Sequence, residues 1–326
     1  MTPGPPTCFL GVPATMTNVI KLLNMPEYLY QPGAGLRRVF GRETSTGSTI
    51  VQLPWGLQIE VDLGEAIGRA LCHHGLFEIS VVEAIFRLTD PSDIFLDVGA
   101  NIGFMSAAAV SANAREIYSF EPHPALFDRL SRNIAMWEKA RPAIAGRVKC
   151  MQVAISEKPG HTTLYIPSGF NTNKGISSLE VGAGEVPGLT LDVRATTLDE
   201  IIGECSIGIL KIDIEGHELK AFAASRKTLD AGRVRDIIFE DFGGMTSRVA
   251  RLLSEAGYTV FGLNKTVFGP ALLDTENRVR RFRSFSNESR NFLATLDPDR
   301  ARSRMMKRGY RCLAKQRWSA GNSLLP

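Results

Sequence analysis

The chain has 326 residues, of which 44% are hydrophobic, 8% aromatic and 22% charged, with a formal net charge of +4. That profile belongs to a globular chain long enough for one enlarged domain or two, and it excludes global disorder, collagen-like repeats and low-complexity sequence. Five scattered cysteines (8, 72, 150, 205 and 312) with no Cys-x-x-Cys fit neither a disulfide framework nor a zinc knuckle, so a reducing cytoplasm is the expected compartment. No apolar run approaches the roughly 20 residues of a membrane-spanning helix, and residues 1–20 lack the Lys or Arg that opens a secretory signal.

Residues 1–75, Pro-rich at the start and carrying Pro54-Trp55-Gly56, read as an accessory segment placed over an acceptor pocket. From Ile94 onward strand-like and helix-like segments alternate. Ile94–Val98 is a short apolar run of the buried-strand kind, followed by a helix over 104–113, a strand over 116–121 and a helix over 122–139. A third strand spans 147–156, and two extended segments, 162–167 and 189–195, flank a polar, Gly-rich loop at 169–187. That loop is long for a compact domain and reads as a lid or substrate wall. The run 207–214 is almost wholly apolar, as a central parallel strand should be, and a helix over 217–229 follows it. A strand over 236–241, a helix over 246–255 and a strand over 258–263 complete the alternation. The pattern predicts an α/β fold with an open parallel sheet and helices on both faces.

In such a sheet, ligands bind beyond the carboxyl ends of the strands. Phe95-Leu96-Asp97-Val98-Gly99-Ala100-Asn101-Ile102-Gly103 lies at that end of the first strand, where Gly99 and Gly103 free the backbone to turn and to approach a ligand. Glu121 follows at the tip of the second strand, placed to accept hydrogen bonds from both hydroxyls of a ribose. A dinucleotide fingerprint would require glycine at 101 and 104, where the chain has Asn101 and Phe104. Asp97 favours a cationic group over a diphosphate. S-adenosylmethionine, with an ammonium, a sulfonium and a ribose diol but no phosphate, fits these residues better than NAD.

The run from Phe95 to Phe104, the stretch Tyr118-Ser119-Phe120-Glu121-Pro122-His123-Pro124 and the stretch Leu210-Lys211-Ile212-Asp213-Ile214-Glu215-Gly216-His217-Glu218 resemble the FkbM family of class I methyltransferases. Val153-Ala154-Ile155-Ser156, Ser177-Ser178-Leu179 and Gly75-Leu76-Phe77-Glu78 extend the likeness over roughly residues 75–265. The resemblance implies a Rossmann-like, mostly parallel seven-stranded sheet in residues 76–270 and methyl transfer to a hydroxyl of a sugar, glycan or natural product. It assigns Asp97, Gly99, Asn101 and Gly103 to the methionine end of S-adenosylmethionine, Glu121 to its ribose, and Val153 and Ala154 to its adenine.

An alcohol acceptor must lose its proton as the new bond forms, so a base is needed within hydrogen-bond reach. Asp213, Glu215 and His217 follow the fourth strand, and a helix N-terminus favours the neutral imidazole that a base requires. Glu240 and Asp241, at the tip of the fifth strand, are further candidates. Asp213, Glu215, Glu240 and His217 could alternatively hold a divalent ion, although no spacing demands a metal. Lys211 shares parity with Asp213 and is expected to pair with an acid.

Residues 278–326 carry thirteen Lys and Arg against three acids, a local +10 that leaves −6 for the remainder. An Arg-rich segment over 271–326 is therefore expected, as a solvated terminal helix or a contact for an acidic membrane or nucleic acid. Three rivals follow: an NAD-linked oxidoreductase, an RNA methyltransferase using this tail, and a non-catalytic cofactor-binding module. The first lacks the glycine spacing. Amino-group methylation of a base would call for an Asn/Asp-Pro-Pro-aromatic motif at the fourth strand, where the chain has Asp213-Ile214-Glu215.

Overall fold

The structure, a computed structural model, describes residues 47–167, 178–180, 187–274 and 290–314. The loop 169–187 therefore lies outside the described residues except for 178–180 and 187. Strands β1 (Ser48–Gln52) and β2 (Gln58–Asp62) form a hairpin. Helices α1 (Ala66–His74) and α2 (Ile79–Leu88) lead to β3 (Ile94–Val98), α3 (Phe104–Ser111), β4 (Glu116–Phe120), α4 (Pro124–Ala140) and β5 (Val148–Met151). The chain then builds a small three-stranded sheet from β6 (Ala154–Ile155), β7 (Gly160–Pro167) and β8 (Pro187–Thr196). It returns through α5 (Leu198–Ile202) to β9 (Ile207–Ile212), α6 (Glu218–Ala223), α7 (Arg226–Asp230), β10 (Val234–Glu240) and α8 (Arg248–Glu255). Strands β11 (Thr259–Thr266), β12 (Gly269–Leu273) and β13 (Asn291–Thr295) and helix α9 (Pro298–Met305) complete the described fold.

The main sheet runs in the order β12-β11-β13-β10-β9-β3-β4-β5. Pairings from β10 through β5 are parallel, and β13 is antiparallel to both its neighbours. Every residue of β3 and β9 is buried, because helices cover both faces, and the one charged residue in each, Asp97 and Lys211, faces the other. Alternate residues enter different cores: Phe95 and Ile209 pack with the α2–α4 side, whereas Leu96 and Leu210 pack with the opposite face. Ala107, Ala108 and Ala109 make the buried side of α3 narrow enough to lie close on the sheet.

The expected sheet of seven strands has eight. A tight return at residues 266–269 adds β12 along the outer edge of β11. The single third strand splits as well: Val148–Met151 stays in the main sheet, while Ala154–Ile155 leaves it to pair with β8. The helix expected over 217–229 is two short ones. Its second part restarts at Ser225, where the Asp199 carboxylate accepts the Thr228 N–H (2.9 Å).

The hairpin is docked on α4 by Trp137 Nε1, which donates to Gln58 O (2.6 Å), and by Asn133, which bridges Glu60 N–H and Ile102 O (2.7 and 2.8 Å). Residues 290–314 of the Arg-rich segment belong to the fold. β13 sits between β10 and β11 with Glu240 opposite Asn291 and Phe261 opposite Leu293. Beyond it, Arg300 binds Asp90 and Asp236 (2.7 and 3.0 Å), Arg304 binds Asp90 (2.8 Å) and Arg302 stacks on Phe261. Composition marks this stretch as basic, yet Arg300 and Arg304 are paired inside the fold.

Helix α2 clamps the returning chain. The buried Arg87 guanidinium donates to the carbonyls of Arg304, Lys307 and Gly309 (2.8, 2.7 and 2.7 Å) and pairs with Glu83. Glu83 in turn accepts the N–H groups of Arg311 and Cys312 (both 2.9 Å). Arg87→Ala leaves a buried carboxylate and three carbonyls short of a partner, so a loss of about 3–5 kcal/mol is expected by urea unfolding. A loss below about 1 kcal/mol would mean that apolar contacts alone hold the segment.

Candidate functional site

The order of strand addition reverses between the parallel neighbours β3 and β9: β3, β4 and β5 step one way, β9 and β10 the other. A crevice opens at such a switch point, beyond the carboxyl ends of the strands. Here it is a cavity of about 450 Å³, within the roughly 300–1,000 Å³ of small-molecule sites. It crosses four strand tips: Glu121 after β4, Gly99 after β3, Asp213 after β9 and Glu240 ending β10. Neighbouring strands lie about 4.8 Å apart, so Glu121 and Glu240 mark ends separated by three spacings, roughly 14 Å.

At the β4 end, Glu121 is buried and holds the loop beside it. Its Oε2 accepts the Asn101 N–H (2.9 Å) and its Oε1 the His123 N–H (2.8 Å). Burial nevertheless pushes its carboxyl up to about 7. Asn101 Oδ1 is buried without a hydrogen-bond partner among the described residues, a group that calls for a polar ligand. Val153, Ala154 and Ile155 form an apolar wall of the kind a purine occupies. The Asn101 N–H is already committed to Glu121, which removes an amide that a diphosphate cradle would use. These residues fit S-adenosylmethionine and not a dinucleotide.

Two expected cofactor residues stand behind the cavity. Asp97 is wholly buried: its Oδ2 accepts the Ser106 hydroxyl (2.5 Å), and its Oδ1 lies 3.9 Å from Lys211 Nζ. Burial raises its carboxyl against the pull of Lys211 and Ser106. Gly103 is not at the wall either. A Cβ there would meet Leu130 and Trp137 at 2.7 and 3.0 Å, and one on Gly99 would lie 1.9 Å from the Asp213 carbonyl oxygen. Both glycines, in left-handed conformations (φ +90° and +74°), therefore serve protein packing. Gly99 does so while also lining the cavity.

At the other end stands a wall of acids: Glu78, Asp213, Glu215 and Glu240. Burial, with Asp213 as the nearest like charge, lifts Glu215 to about 7 and Glu240 to about 8, and it raises Glu78. Lys211 is the counterweight, 3.3 Å from both Asp213 Oδ2 and Gly99 O. Burial opposes its charge, but Asp213, Asp97 and Glu78 outweigh that and raise its pKa. Glu78 and Glu215 also adopt positive φ (48° and 54°), as does Asn101 (53°). Three of the four such non-glycine residues in the described chain thus line this cavity, where backbone strain of about 1–3 kcal/mol per residue is held in place by the surrounding fold.

His217 is elsewhere. Its Nδ1 bonds Glu180 Oε1 (2.8 Å), its Nε2 bonds Ser156 Oγ (3.1 Å), and it does not line the cavity. The turn at Glu215 and Gly216 carries the imidazole to the far side of the loop, so Asp213, Glu215, Glu240 and His217 do not assemble as one set. Glu218 is not a wall residue either; it accepts the Ile214 N–H (2.8 Å) ahead of α6. Sequence reading passed over Phe242 and Arg290 as site residues and placed Glu78 only within a matching stretch. Glu78 sits at a helix start, where an acid is unremarkable, and Arg290 is lost in a basic run.

Residues 97–260, half of the chain, match the family model described as the methyltransferase FkbM domain. The chain belongs to this family. FkbM-type methyltransferases use S-adenosylmethionine, the cofactor that the cavity fits. A 31-O-demethyl-FK506 methyltransferase from Streptomyces tacrolimicus is 30% identical over 55% of this chain and 77% of its own length. A hexuronic acid methyltransferase from Haloferax volcanii is 26% identical over 55% of this chain and 69% of its own. A crystal structure of a methyltransferase FkbM from Methylobacillus flagellatus aligns at 16% identity and a TM-score of 0.40, over 63% of this chain and 44% of that one; the present chain spans less than half of that protein. Among the described residues no helix is long and apolar enough to cross a membrane.

Two measurements probe this FkbM site. Glu121, Glu215 and Glu240 bind a proton more tightly in the folded chain than in the unfolded one, because their values are raised above 4.5. The stability this gives is complete below about pH 4.5 and is lost as pH rises through about 7 to 8. The thermal midpoint of the ligand-free protein should therefore fall between about pH 5 and pH 8.5, and Glu240→Gln should flatten that fall. Glu121→Ala should weaken S-adenosylhomocysteine binding by about 1.5–3 kcal/mol in calorimetry, the usual worth of a hydrogen bond to a charged group.

Proposed function

We propose that this FkbM-type enzyme O-methylates a hydroxyl of a sugar, glycan or hydroxylated natural product. The observation that carries the reading is the acid wall. Glu215 and Glu240, lifted to about 7 and about 8, line the same cavity as Glu121 but at its opposite end. A carboxylate tuned near neutrality is a competent base for an alcohol proton, and neighbouring carboxylates are acceptors for the other hydroxyls of a polyol. The names of the two relatives support the reading: one is a 31-O-demethyl-FK506 methyltransferase, which is an O-methylation, and the other acts on a hexuronic acid, a sugar acceptor.

S-adenosylmethionine, when bound, supplies a methyl group already activated by a sulfonium. Glu121 receives the ribose hydroxyls, Asn101 offers its unpaired side-chain oxygen, and Val153 and Ala154 flank the adenine. Glu215, beside the β3–β9 switch point, takes the acceptor proton as the oxygen–carbon bond forms. Asp213 and Glu240 orient the acceptor ring. Alignment of the acceptor oxygen, worth several kcal/mol by itself, falls to this wall and to Leu179 and Phe77 across the cavity. His217 contributes at a distance by tying β6 to the segment 178–180 through Ser156 and Glu180.

The test combines a labelled-methyl assay over simple sugars, uronic acids and hydroxylated macrocycles with pH profiles. Transfer should give an alkali-stable ether and rise with pH to a plateau above about 7, since the base must be ionised. Glu215→Gln should lower the turnover by about 10²–10⁴-fold and leave S-adenosylhomocysteine affinity unchanged. Label recovered on RNA or on an amine would overturn the reading.

A further inference from the structure

The acid wall ends at a cation. Arg290 immediately precedes β13, and its carbonyl accepts the Asp241 N–H (2.8 Å), so it flanks the tip of β10. Its guanidinium lies 4.6 Å from the centroid of the Phe242 ring, and both residues line the cavity. Arg290 is exposed, Phe242 is 63% exposed, and Arg290 makes no ion pair with any described residue. The contrast with the other cation of this cavity is sharp: Lys211 is held by Asp213, Asp97 and the Gly99 carbonyl. Next to Arg290, Asn291 Nδ2 donates to Glu78 Oε1 (3.0 Å), which fixes the start of β13 against the acid wall.

From these positions we infer that Phe242 and Arg290 form an acceptor subsite for a ring bearing a carboxylate, one that sets both the choice and the direction of the acceptor. The inference rests on the O-methyltransferase reading above. A guanidinium laid on an aromatic face is held in orientation while its N–H edge stays free, and that edge matches a carboxylate with two parallel hydrogen bonds. The exposed phenyl ring offers an apolar surface to the C–H face of a sugar ring. Asp213 and the ionised fractions of Glu78, Glu215 and Glu240 deeper in the cavity disfavour an anion there, so an acidic acceptor is favoured with its carboxylate outward, on Arg290, and its hydroxyls inward toward Glu215 and Glu240. Attraction and repulsion thus select the same orientation. The cofactor's own carboxylate does not compete for this position. β13 lies three strand spacings from β3, roughly 14 Å from the Gly99–Gly103 loop to which the family resemblance assigns the methionine end.

The experiment uses the full chain saturated with S-adenosylhomocysteine and compares methyl β-D-glucuronide with methyl β-D-glucoside by ligand-observed NMR. The glucuronide should bind about ten-fold or more tighter, as expected for a charge-assisted hydrogen bond. Arg290→Gln should abolish that preference and leave S-adenosylhomocysteine affinity within about two-fold, and Arg290→Lys should restore part of it. Equal binding of the two sugars to the unaltered protein, no saturable binding of the glucuronide, or a preference that survives Arg290→Gln would each overturn the inference. So would loss of S-adenosylhomocysteine affinity in Arg290→Gln, which would place Arg290 on the cofactor. Methyl transfer to the glucuronide that is indifferent to Arg290 would leave the O-methyltransferase reading standing and remove this one. Arg290-dependent glucuronide binding, with label found only on nitrogen or RNA, would do the reverse.

Discussion

The ammonium of Lys211 sits where β3 and β9 run side by side, directly across from Asp97 in the strand register. It lies within 3.3 Å of the Asp213 carboxylate and the Gly99 carbonyl. Both faces of these strands are covered, so this charge has been taken out of water, and it persists because carboxylates surround it. The same ion offsets their mutual repulsion. Without it, Asp97, Asp213 and Glu78 would share a buried site with no positive partner, and the two strand tips could not meet as closely as they do. Glu121 and Asn101 line the cavity on the β4 side of Lys211, and Glu240 lines it on the β10 side.

Close contact of the two tips also explains the glycines. Gly99 is required because the Asp213 carbonyl occupies the place of its Cβ, and Gly103 because α4 packs there through Leu130 and Trp137. The loop is shaped by the protein around it. Strain at Glu78, Asn101 and Glu215 belongs to the same economy of space: three side chains reach the cavity from backbone positions that glycine would occupy more easily.

The alternation of strands and helices from Ile94 to Leu263 was legible because both patterns come from burial. β3 and β9 are largely apolar runs in the chain, each broken by one charged residue (Asp97 and Lys211), and wholly buried strands in the fold. The place of Glu121 on the cavity was legible because the tip of a parallel strand stands at the sheet edge where the crevice opens. His217 misled for an instructive reason: a histidine two residues past an acid reads as a neighbour in the same crevice, yet the left-handed turn at Glu215 and Gly216 sends it to Ser156 and Glu180. β13 was hidden by its surroundings, five residues of Asn-Phe-Leu-Ala-Thr inside a stretch that averages as basic. Phe242 and Arg290 become a pair only through the register of β10 with β13, which no local pattern encodes.

The place of β13 has a consequence for how the protein is made. β10 pairs along one edge with β9, 22 residues or more upstream, but its other edge is closed by residues 291–295, more than 50 positions later. Until that stretch leaves the ribosome, β10 and β11 each present an unpaired edge flanked by apolar faces, the state in which strands pair with the wrong chain. Folding of the main sheet is therefore tied to late synthesis and to a pairing distant in sequence, which makes it slow. In a cell, the yield of active enzyme will be governed by what shields those edges in the interval.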